Sequence, residues 1–125
     1  MRAYTVATTA VALGVGAKWV DNVLSHHQVS GVYQERQGIA RRVTPAALLV
    51  LDIALKLARS LGLAVPQALE TAQRLVDADG GRITLPGVPI QLGADVGALA
   101  TDLNVRLERA VEVSPIPRRG RPRRK

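Results

Sequence analysis

The sequence contains no cysteine and no phenylalanine. Without thiols, disulfide scaffolds, zinc fingers, thiolate metal sensing and cysteine catalysis are excluded. Aromatic residues are scarce and scattered: Tyr4, Trp19 and Tyr33 are the only ones. An RNA-binding sheet or a single-strand groove needs several aromatics for bases to stack on, which argues against both. Long apolar runs are also lacking. The longest, Pro45 to Leu51, falls far short of the roughly 20 residues that span a bilayer. The segment Met1-Arg2-Ala3-Tyr4-Thr5 has no basic-then-apolar plan of a secretory signal. The expectation is a cytoplasmic protein with no membrane partner.

Apolar residues make up 47% of the 125-residue chain, enough for one modest aliphatic core, and disorder of the whole chain is excluded. The net charge of +7 is unevenly placed. Residues 1–76 carry 8 basic and 4 acidic residues, residues 77–117 carry 3 and 6, and residues 118–125 carry six basic residues and no acid. This division reads as a nucleic-acid-facing half, a segment with another task, and a basic arm.

Residues 5–13 form a first predicted helix, with Thr5 or Thr8 as cap and Val6, Ala10 and Leu13 on one face. Gly14-Val15-Gly16 breaks it, and Ala17 to His26 follows with Val20, Val23 and Leu24 as its buried stripe. Two short helices joined by a glycine turn are the sequence form of a helix-turn-helix. Residues 29–33 and 39–43 read as strands around the polar loop 34–38, a hairpin in the position of a wing. Thr44-Pro45 opens a third helix that ends at Gly62 and is apolar on most sides, only Asp52, Lys56, Arg59 and Ser60 being polar. A fourth helix spans 66–76. Residues 82–85 and 88–92 flank Pro86-Gly87 as a second hairpin, and Pro89 sends its strand to an edge. Ala94 to about Val111 is the last helix, with Val96, Leu99, Leu103, Leu107 and Ala110 at spacings of three and four.

The second helix carries the candidate reading face. Lys18, Asp21, Asn22, Ser25 and His26 lie off its apolar stripe. Asn22 can bridge an adenine edge in bidentate fashion, and Lys18 can reach a phosphate or guanine. Arg36, Arg41 and Arg42 place positive charge in the wing. Trp19, beside the apolar stripe, reads as a partial core anchor. His26-His27 point about 100° apart on a helix, and no thiol or carboxylate cluster completes a metal site. Asp77 and Asp79 lack the remaining ligands of a calcium loop. No phosphate-binding glycine loop, nucleophile elbow or His/Ser/Asp set is present, so no catalytic residue, metal or cofactor is expected, and the protein is not expected to be an enzyme.

The serial order of these elements resembles the MerR-type and excisionase-type winged helix-turn-helix proteins. The matching text is Tyr4-Thr5-Val6, Leu13-Gly14-Val15, Arg41-Arg42-Val43-Thr44-Pro45-Ala46-Ala47-Leu48 and Leu61-Gly62-Leu63-Ala64-Val65-Pro66-Gln67-Ala68-Leu69. The resemblance covers residues 4–76. It implies a domain whose second helix enters the major groove and whose wing grips the backbone, with Lys18 opening the recognition helix and Arg41 as the wing arginine. One departure stands out: Asp21-Asn22-Val23 replaces the Arg-Tyr-Tyr string usual late in that helix, and Asp21 would repel a phosphate. Arg119-Gly120-Arg121-Pro122 resembles the core of an AT-hook, which implies arginines in a narrow A·T-rich minor groove.

The expected architecture is mainly α: a winged helix-turn-helix over 1–76, a hairpin and amphipathic helix over 77–113 for dimerisation or partner binding, and a disordered basic tail over 114–125. The expected function is sequence-specific binding of double-stranded DNA by a small bacterial-type regulator, a nucleoid-associated homodimer that represses by occupancy. Two alternatives are an antitoxin, whose acidic segment clamps a basic toxin, and an excisionase-like or nucleoid architectural protein.

Overall fold

The computed structural model describes residues 3–34 and 40–113. Five helices and two short hairpins occur among the described residues, in the predicted order. Helix α1 (Val6–Leu13) starts where the Thr5 hydroxyl accepts the Thr8 amide at 3.1 Å. It stops at Gly14, whose φ of 74° lies in the left-handed region that glycine enters without a Cβ clash. Two residues later Gly16 is the N-cap of α2 (Ala17–His26), so the turn is as tight as the glycine spacing predicts.

Strands β1 (Val32–Tyr33) and β2 (Arg42–Val43) pair antiparallel, Val32 with Val43 and Tyr33 with Arg42. On the other side of β2, Tyr4 exchanges two 2.8 Å backbone hydrogen bonds with Val43, which ties the segment before α1 to the hairpin. Gly31 joins this hairpin to the next helix. Its carbonyl accepts from the Thr44 amide at 3.0 Å and the Thr44 hydroxyl at 2.8 Å. Its φ of 91° and its contact with that hydroxyl leave no room for a Cβ.

Helix α3 (Pro45–Leu61) is capped by Thr44, begins with proline and ends at Gly62, as its sequence predicts. Its nearly all-round apolar surface is explained by its place: Leu48 and Leu51 are fully buried, and α3 packs against α4 (Val65–Asp77), α5 (Val96–Val113) and α1. After a short turn, β3 (Arg82–Thr84) pairs with β4 (Gln91–Gly93). Strand β4 begins later than predicted. Pro89 has no amide hydrogen to donate, and Val88 to Ile90 stay irregular. Helix α5 (Val96–Val113) is opened by the Asp95 carboxylate, which accepts from the Ala98 amide at 3.0 Å.

The apolar row of α5, expected to serve dimerisation or partner binding, is covered within this one chain over Leu103, Leu107 and Ala110, which are 2%, 3% and 1% exposed. Helix α5 lies against α1 and α3, and its buried residues belong to the same core as Ala12, Leu13, Leu48 and Leu51. The reason is geometric. Helix α1 packs against α2 and α3 as well as α5, so the apolar row of α5 finds its cover on α1 and α3.

Candidate nucleic-acid interface

Helix α2 sorts its side chains sharply. Val20, Val23 and Leu24 are buried, whereas Lys18, Asp21, Asn22 and Ser25 are exposed. At 3.6 residues per turn, positions 18, 21, 22 and 25 form one row along the helix. Trp19 is half-buried and packs against the core, in line with an anchoring role. The helix closes with the His26 Nδ1–H donating to the Asn22 carbonyl at 2.8 Å, since a carbonyl can only accept.

The hairpin side of this face holds Arg41 and Arg42. Arg42 is exposed on β2, opposite the exposed Tyr33. Arg41 is half-buried, and its Nη1 lies 3.7 Å from the Asp21 Oδ1 of α2. Asp21, unfavourable on its own for a phosphate-facing helix, is therefore the partner of the arginine expected to grip the backbone. Arg36, Arg119 and Arg121 lie outside the described residues.

The connector from His27 to Ser30 runs between two open recesses. One, of about 280 Å³, is bordered by Leu24, His27, Gln28, Val32, Gln34 and Arg41. The other, of about 480 Å³, has Val50 and Leu69 at its apolar side and His26, Ser30, Glu70 and Gln73 among its polar groups. Among the described residues, no three His, Asp or Glu side chains come together as metal ligands, and no helix is long and apolar enough to cross a membrane.

No protein-family model, no curated protein and no solved structure matches this chain.

A polar cluster between α1, α3 and α5 was not legible as a site in the sequence. Asp52 of α3 is 2% exposed. It accepts the Lys56 ammonium at 3.1 Å on both oxygens and the Arg106 Nη2 at 3.0 Å. Arg106 of α5 also donates through Nε to Asp102 at 3.0 Å and through Nη1 to the Ala12 carbonyl at 2.8 Å. Burial opposes the arginine's charge. The hydrogen bond and charge of Asp52, then those of Asp102, outweigh that effect and hold its pKa above the ordinary arginine value. The available signal was Asp52 itself, a lone acid within an apolar stretch of α3.

Proposed function

We propose that the protein binds double-stranded DNA sequence-specifically and regulates by occupancy, with α2 as the reading helix in the major groove and the β1–β2 hairpin as a wing. The observation that carries this reading is the row Lys18, Asn22 and Ser25, left open along α2 while its apolar residues turn inward beside a hairpin bearing Arg41 and Arg42. Short polar and basic side chains at that spacing suit base edges and flanking phosphates. The smaller recess, with its cation and side-chain amides, has donor chemistry that suits a phosphate oxygen. The basic surplus of the first 76 residues and the six positive charges of residues 118–125 favour the same polyanion.

The test is selection of bound duplexes from a random library with the full chain. Anisotropy titrations of the selected site and a scrambled one, at two salt concentrations, then follow. Tighter binding of the selected site and a steep loss of affinity with salt are expected. Equal affinity for both duplexes would replace sequence reading by an architectural role, and no binding at low salt would remove the DNA reading.

A further inference from the structure

The end of α1 is held in an unusual way. Its Ala10 and Val11 carbonyls accept amides from the following turn, Val15 to Ala10 at 3.0 Å and Gly14 to Val11 at 3.2 Å. The next carbonyl, Ala12, accepts from Arg106, a residue 94 positions away on α5. Helix α1 has no basic residue in its own last turn. A cation at a helix C-terminus stabilises the exposed carbonyl ends, and here it comes from another element. Arg106 does not float: Asp52 from α3 and Asp102 from its own helix grip the same guanidinium at 3.0 Å. Three helices thus meet at one planar group, two residues before Gly14, where the chain turns into α2.

We infer that Arg106 is the positioning residue of the reading unit: by fixing the Ala12 carbonyl against α3 and α5, it sets the direction in which α2 leaves the Gly14–Gly16 turn. The inference rests on the DNA-binding reading for its functional consequence, but its structural content stands apart from it. A glycine turn has little stiffness of its own, so the orientation of α2 depends on what holds each side. On the α2 side, Val20, Val23 and Leu24 enter the core. On the α1 side, the last carbonyls are held by the turn and by Arg106. Helix α5 is then part of the machinery that aims the reading face, although it carries none of that face's residues.

The decisive variant is Arg106→Lys in the full-length chain. Lysine keeps a positive charge beside Asp52, but one ammonium nitrogen lacks the planar fork that serves Ala12, Asp52 and Asp102 together. Leu103→Ala on the same helix is the control, because it removes packing and leaves the fork. Trp19 is the sole tryptophan and sits on α2, so its emission reports that helix's packing. Amide exchange at Val15 to Val20, taken relative to exchange at Leu69 to Leu75 in α4, separates local loosening from global destabilisation.

Arg106→Lys is expected to shift Trp19 emission, to raise the relative exchange at Val15 to Val20, and to weaken binding of the selected duplex by about tenfold, the scale of a lost charge-assisted hydrogen bond. Leu103→Ala is expected to lower the melting temperature while leaving emission, relative exchange and affinity near wild type. Wild-type emission and exchange in Arg106→Lys, or equal local changes in both variants, would overturn the positioning role. If the unaltered protein binds no duplex, the DNA reading fails alone, and emission and exchange still decide whether Arg106 aims α2.

Discussion

Asp21 and Arg41 face each other at 3.7 Å with both side chains partly open to solvent, so the pair adds little to stability. Its effect on a polyanion is larger in principle, because Asp21 both repels phosphate and occupies the arginine. Asp21→Asn is expected to tighten DNA binding by about fivefold, the equivalent of ~1 kcal/mol, with an unchanged melting temperature. Arg41→Ala and Lys18→Ala are expected to flatten the slope of log affinity against log salt by about 1 each. An Asn variant that binds no better, or alanine variants with the wild-type slope, would show that these side chains do not meet phosphate. Thr9 offers a stability test free of any functional assumption. It is fully buried, and its hydroxyl has no hydrogen-bond partner among the described residues. Thr9→Val keeps the shape and removes the unsatisfied hydroxyl, so a gain of about 1 kcal/mol is expected in urea denaturation. A loss of stability would mean that the hydroxyl is satisfied in solution.

At the scale of elements, α5 is the informative case. Its period was legible, since Leu103, Leu107 and Ala110 are the buried residues, but periodicity names a face and not the surface that covers it. The covering surface is α1 and α3 of the same chain. Leu103→Asp is therefore expected to unfold the protein rather than to yield folded monomers. Placing an unpaired carboxylate in that core costs several kcal/mol against a typical total stability of about 5–15 kcal/mol. Circular dichroism and sedimentation on the same sample distinguish the outcomes, and a folded, monomeric variant of a dimeric parent would restore the intermolecular reading. The boundaries of α1, α2 and α3 were legible for a different reason. Thr5, Gly14, Gly16, Thr44, Pro45 and Gly62 act through local backbone chemistry, and each stands where its helix starts or stops.

At the scale of the whole molecule, charge and fold are divided differently. The described residues share one apolar core that runs from α1 to α5, whereas six positive charges lie in residues 118–125, outside them. Deleting residues 114–125 is expected to leave the melting temperature within a few degrees of the full chain. It is expected to reduce affinity for duplex DNA by about tenfold or more at low salt, through lost counterion release. Two probes with the same central site and different flanks reveal what the segment reads: selective loss on the A·T-rich flank supports minor-groove contact by Arg119 and Arg121. Equal loss on both makes it a simple cationic arm. No loss on either removes it from the DNA interface.

The sequence by itself determined the helical class, the order of elements, the caps and turns, and the sorting of α2 into an apolar and a polar row. These follow from short-range periodicity and from residues whose backbone preferences act within a few positions. Only the tertiary structure decided that α5 closes over α1, that Asp21 holds Arg41, and that Arg106 joins Asp52 to the end of α1. Those pairings link residues 20, 54 and 94 positions apart. An aspartate or arginine looks the same in sequence whether it is solvated or clamped. What distinguishes the two is which helix the hydrophobic burial of its neighbours brings alongside.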